Sequence, residues 1–344
     1  MIDCLGVLTV SLSLLAGTSG GTPTAAELLN NYTKALDSLR SIIVKTEVVT
    51  QHEYSFSKYY HEPGFRGVRD KGTSYKREEF RTDGQRIHSR QYTWGHISDL
   101  DSSVPEAQPC YNFYNYVQGQ LYAHHGRAGP KSSGGSAQAH ESPNFKLRGQ
   151  PPGRGYDIQS DERLDSILRS AKTLSVRPTT VTLGGSACYV IDAQTDCGTI
   201  SVWLDPAHGW HTARIEAKGK QGDIYWGKPL PPGQVVSSRM ENVRFEQIDG
   251  LWVAVEMDLR MNNYYGSGSF TRSNRHYKLT DVVLNPDHDA LGSFDNPLEN
   301  PRNDPELKNG ASVRKDGSRY VWQDGKLVPK PPRRRDRSGS RSGN

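Results

Sequence analysis

Asp205, His208 and His211 are the residues whose types and spacing come nearest to a metal-binding set. They straddle Asp205-Pro206-Ala207-His208-Gly209, where an early proline and a late glycine suit a type I turn followed by a positive-φ residue. That turn accounts for the spacing without an ion. His124-His125 and His140-Glu141 flank a glycine- and serine-rich stretch, but adjacent strand residues point to opposite faces, so His124 and His125 cannot ligate one ion. The adjacent carboxylates Glu78 and Glu79 lie in a charged hairpin and read as solvated surface. There is no Gly-x-Ser-x-Gly elbow, no phosphate-cradling glycine loop and no His-Glu-x-x-His helix. No enzyme, metal or cofactor is therefore expected. What remains is an interleaving of Tyr and Arg between Tyr54 and Arg90. Such a pattern stacks on glycans or single-stranded nucleic acid, or packs across strands on an exposed sheet face.

The elements that must position these residues are mostly strands. Thr24-Ala25-Ala26-Glu27 is a capping box, and Leu28, Leu29, Tyr32, Ala35, Leu36 and Leu39 follow at helical spacing, so a helix is predicted to about Ser41. From Ile42 the period becomes two. Hairpins are predicted around Asp83-Gly84, Gln118-Gly119, Asp249-Gly250 and Asp324-Gly325, where X-Gly supplies positive φ. Ser160 is expected to cap a second short helix carrying Leu164, Ile167, Leu168 and Ala171, and Asn285-Pro286 reads as another helix start. The clearest alternation is Leu251 to Met261, apolar at every odd position.

Cys4 to Ala16 is uncharged and apolar, the length of a signal-peptide core and too short to cross a bilayer. Residues 1–22 are expected to be a signal peptide, although the usual basic n-region is missing and Thr18 stands where a lipobox cysteine would be. The mature chain is predicted to be one domain, 23–329, with a flexible insertion at about 126–155. Residues 330–344 hold six basic residues against Asp336, which accounts for the whole net charge of +5, and are expected to form a disordered tail. Export removes nucleic acid as a partner. Cys110, Cys188 and Cys197 remain after leader removal. Cys188 and Cys197 flank a hairpin turn, but their offset across it exceeds relaxed disulfide geometry.

Several phrases, taken together, resemble exported bacterial proteins of the lipoprotein-carrier type, the relatives of LolA and LolB. They are the capped Ala25-Ala26-Glu27-Leu28-Leu29-Asn30-Asn31-Tyr32, the run Val202 to Gly209, Tyr277 to Pro286, and Tyr320 to Lys326. The resemblance implies an α+β, β-dominated fold: an unclosed antiparallel β-barrel, strongly curved, with helices covering its concave face and an apolar cavity between. On that fold the cavity wall would be Ile200, Val202, Leu204, Val243, Phe245, Val253, Val255, Met257 and Leu259.

Two functions follow as expectations. The first is a non-enzymatic cell-envelope protein that binds a lipid or acylated protein in the cavity. The second is an envelope sensor or assembly module, which meets a protein partner through the aromatic strands near Tyr54 to Tyr92 or through the basic tail, or an anionic surface through that tail.

Overall fold

The computed structural model describes residues 22–56, 68–95, 109–128, 135–142 and 162–330. The leader, the tail beyond Lys330 and most of the insertion expected at 126–155 lie outside them.

Helix α1 spans Ala25–Ser38. Its capping box is complete: the Thr24 hydroxyl accepts from the Glu27 amide at 3.3 Å, and the Glu27 carboxylate accepts from the Thr24 amide at 2.7 Å. Helix α2 is shorter, Leu164–Arg169, and Arg163 rather than Ser160 is its N-cap, with no side-chain cap bond. Ser160 itself lies outside the described residues. No helix starts at Asn285, whose φ of 48° is left-handed, whereas an N-cap needs extended backbone. Its amide instead donates to the Ser41 carbonyl at 3.0 Å.

The rest is strand. The N-terminal set is β1 (Ile42–Phe56), β2 (Val68–Thr82), β3 (Ile87–Trp94), β4 (Cys110–Val117), β5 (Gln120–Arg127) and β6 (Ser136–Glu141). Next come β7 (Thr173–Val176), β8 (Val181–Leu183), β9 (Ser186–Thr195), β10 (Gly198–Asp205) and β11 (His211–Gly219). A separate two-residue ladder joins β12 (Ile224–Tyr225) to β13 (Lys228–Pro229). The long strands β14 (Val235–Ile248), β15 (Leu251–Tyr264) and β16 (Phe270–Leu284) precede the closing β17 (Ser312–Lys315), β18 (Ser318–Gln323) and β19 (Lys326–Pro329). At Gln118-Gly119, Asp249-Gly250 and Asp324-Gly325 both residues have positive φ, as a two-residue type I′ turn requires.

Pairing makes one continuous sheet. Both β7 and β8 pair with β9. From β9 the order is β10, β11, β14, β15, β16, β1, β2, β3, β4, β5, β6, β17, β18, β19. All neighbours are antiparallel except β6 and β17, which run parallel. Among the described residues the two margins, β7/β8 at one side and β19 at the other, do not pair with each other. The expected antiparallel half-barrel is therefore corrected to an open sheet of mixed direction that is not strongly curled, with two short helices.

The reason lies in apolar patterning on both faces. One core buries Leu28, Leu29, Tyr32 and Leu36 of α1 and Leu164 and Leu168 of α2 against Ile191, Val202, Ile215, Met257, Tyr277 and Val48. A second buries Tyr111, Phe113 and Tyr122 against Leu307, Val313 and Trp322. Register carries Tyr111 through Tyr92 and Arg77 to Glu47, while Val48, the next residue, lies opposite Tyr277, which in turn lies opposite Met257. Directly paired residues share a face and successive residues alternate, so the two cores sit on opposite sides of the sheet. Curling toward the helices would close the first core and open the second.

The chain after β16 builds that second layer. Between Leu284 and Ser312 it crosses β2 to β5: the Asn115 amide donates to the carbonyls of Phe294 and Asp295, and the Arg86 guanidinium lies 4.5 Å from the Phe294 ring centroid.

Candidate functional site

The residues expected to line one cavity do not line one. Ile200, Val202, Leu204, Met257 and Leu259 lie in the helix-side core, with Val243 and Phe245 half-buried at its margin. Val253 and Val255 belong to a third cluster with Ile42, Val44, Phe80 and Leu284. The split follows from a fork in the sheet. β15 pairs with β16 only from Glu256 onward, so this end of β15 diverges and Leu251, Val253 and Val255 pack against β1 and β2. Helix side chains fill the remaining space, and no curved ligand cavity stands behind these residues. The lipid-carrier reading is corrected accordingly.

The polar candidates satisfy one another or are buried. The Asp205 carboxylate meets His208 Nδ1 at 2.6 Å and accepts from the Ala207 amide at 3.0 Å. The His208 ring stacks on Phe245 at 4.8 Å and meets Trp252 edge-on at 4.7 Å. His211 is buried, its Nδ1 has no partner, and burial lowers its pKa to about 4. Among the described residues no group of three or more His, Cys, Asp or Glu is placed to hold a metal. Among the described residues Cys110, Cys188 and Cys197 form no disulfide.

His124 and His125 do face opposite ways: His124 Nδ1 lies 2.8 Å from Asp304 and His125 Nδ1 lies 2.8 Å from Asn112. Asp304 is a residue the sequence did not single out. The residue is 1% exposed, and its carboxylate also accepts the hydroxyls of Tyr111 at 2.8 Å and Tyr122 at 2.7 Å. Burial, then the carboxylate itself, drives both phenol pKa values far up, so both remain donors. This enclosed network is a latch that fastens the crossing segment to β4 and β5. Glu78 also departs from expectation. It is buried, not solvated, and accepts from Lys76 at 2.7 Å, Gln91 at 2.8 Å and Ser89 at 3.1 Å.

The Tyr and Arg interleaving is where exposed recognition chemistry gathers. On the face away from the helices, Tyr75 is 56% exposed and lies opposite Trp94 across the β2–β3 ladder. Trp94 stacks with Tyr92 at 6.2 Å, and the Arg77 guanidinium sits 5.8 Å from its ring centroid. Beside them a groove of about 360 Å³ is lined by Lys45, Glu47, Arg77, Glu79, Arg90 and Tyr92. It opens where a β-bulge between Lys45 and Thr46 interrupts the β1–β16 ladder. Burial disfavours the Glu79 carboxylate, but Arg90 at 2.6 Å and Arg81 outweigh it and hold the acid below its ordinary range. Glu47 accepts from Arg77 at 3.1 Å. The floor is thus fixed by ion pairs while the aromatic rim is open. The interleaving of Tyr and Arg in the sequence pointed to this stretch without singling out Tyr75, Arg77 or Tyr92. Trp94 joins them only through the register of β2 against β3.

No protein-family model and no curated protein matches the chain. Among solved structures, the ywiB protein of Bacillus subtilis is 6% identical, with 70% of this chain and 94% of that one covered and a TM-score of 0.17. The MucA/MucB complex of Pseudomonas aeruginosa is 11% identical, with 76% and 99% covered and a TM-score of 0.22. At those scores neither defines the fold of this chain.

Proposed function

We propose that this chain is a binding module of the cell envelope that recognises a protein partner through the face bearing Tyr75, Arg77, Tyr92 and Trp94. The observation that carries the reading is the exposure of Tyr75 beside Trp94 and Arg77, three residue types that dominate binding energy at protein interfaces. Two long strands hold them, so little ordering remains to oppose association. The ion-paired groove alongside supplies charged rim contacts that set orientation and partner choice. The role is binding rather than catalysis.

A photo-crosslinking residue at Tyr75 is expected to capture a discrete protein in the native host. Trp94→Ala or Arg77→Ala should weaken that capture by about thirtyfold, the scale of a hot-spot loss. The same crosslinker at the exposed Leu291, on the crossing segment, is the control. Equal capture at both positions, or none at Tyr75, would overturn the reading. Export from the uncharged Cys4 to Ala16 run belongs to the same proposal. N-terminal sequencing of the host's mature protein should begin between about residues 17 and 25. A chain that retains Met1 would refute export.

A further inference from the structure

On the same open face, away from the aromatic strip, a shallow trough of about 460 Å³ crosses β10, β11, β14 and β15. Its charged lining is Lys218, Arg239 and Arg260 against Glu216 alone, and Thr199, Ser201, Ser237 and Asn262 add hydrogen-bonding groups. Arg239 and Arg260 are directly opposed across the β14–β15 ladder. Like charges in that position repel. The neighbouring acids relieve them only in part: Arg239 meets Glu216 at 3.1 Å, and Glu241 lies 3.8 Å from Arg239 and 3.3 Å from Arg260. Arg214 also shares Glu216. The Arg260 side chain stays 54% exposed.

Farther along the same two strands, on the same face, Val235 lies opposite Tyr264, and both are exposed. The Tyr264 ring lies 6.4 Å from that of Phe270, and the Arg272 guanidinium covers Phe270 at 4.3 Å. Arg260 and Tyr264 are four residues apart on β15, about 14 Å at the strand rise.

We propose that this trough binds an extended acidic segment of a protein partner, with a carboxylate bridging Arg239 and Arg260 and an apolar side chain four residues away on Val235 and Tyr264. Excess positive charge selects the acid, and the paired guanidiniums match carboxylate geometry. The apolar row separates such a segment from a simple polyanion. The trough rests on the reading of the chain as a protein-binding module and adds a second contact to it.

The test uses the full chain and three fluorescent extended peptides. One has an acidic pair with phenylalanine four residues on, one has the phenylalanine moved beside the acids, and one has the acids replaced by their amides. Anisotropy titration should show salt-sensitive binding of the first and weaker binding of the other two. Arg239→Gln with Arg260→Gln should reduce affinity for the first at least about tenfold, the scale of losing a charge-assisted hydrogen bond. The double variant loses the repulsive pair and the ion pairs to Glu216 and Glu241 together, and its melting curve, read alongside, shows that it is folded. Leu291→Ala, on the crossing segment, should leave the peptide affinity unchanged. Equal binding of both acidic peptides would reduce the trough to nonspecific charge and overturn the proposal, as would no binding or an unaffected double variant. Capture at Tyr75 without peptide binding would sink the trough and leave the module reading standing.

Discussion

His88 is 1% exposed, neither ring nitrogen has a partner, and its ring meets the edge of Phe113 at 4.8 Å. Burial lowers its pKa to about 3, with Arg81 adding to the effect and Glu79 opposing it. His211 is a second neutral buried imidazole, at about 4. In the unfolded chain both titrate near 6.5. Below that pH the unfolded state takes up protons that the folded state refuses, so stability present at neutral pH drains away until the folded-state values are passed. At pH 4 the loss from His88 alone should be on the order of a few kcal/mol. Denaturant midpoints at pH 7 and pH 4 should therefore draw closer together in His88→Leu than in the unaltered chain. An identical pH dependence would show that the ring is not held neutral. The opposite facing of His124 and His125 was readable from strand alternation alone. Asp304 was not, because a carboxylate so far along the chain carries no local sign that it will accept from Tyr111, Tyr122 and His124 at once.

Element by element, legibility tracks how local the determinant is. The reciprocal bonds of Thr24 and Glu27 are set within one helical turn. Thr24→Ala should lower stability by about 1 kcal/mol, measured by denaturant titration. An unchanged midpoint would mean that α1 does not depend on its cap. The strict alternation of β15 was equally plain, and Val255 is indeed buried while Glu256 is half-exposed beside Arg244 and His276. Val255→Asp should leave a buried carboxylate without a partner and destabilise severely. Glu256→Ala should change stability by less than about 1 kcal/mol. Equal tolerance at the two positions would contradict the strand's orientation. β6 was hidden because Ser136 to Glu141 has few residues that favour strand. It is held by pairing on both sides, with β5 and with β17.

At the scale of the molecule, strand and hairpin content followed from alternation and X-Gly turns, but the shape of the sheet did not. Alternation tells which residues of a strand share a face. It cannot tell whether the dry face of β4 lies on the same side as the dry face of β10, and that relation decides between a half-barrel around one core and an open sheet with a core on each side. Only the register through β1, β2 and β3 settles it.

The parallel pairing of β6 with β17 joins Ser136 to Ser312. On a ribosome, β6 emerges long before its partner and presents a bare strand edge throughout that interval, the condition under which chains associate wrongly. Closing so long a loop is slow, and the crossing segment must settle on β4 and β5 before β17 can dock. Refolding from denaturant should show Trp322 becoming buried last, and a chain ended at Ala311 should aggregate at concentrations where the full chain does not. Simultaneous burial of Trp322 and the helix-side core would place the parallel junction early in assembly instead.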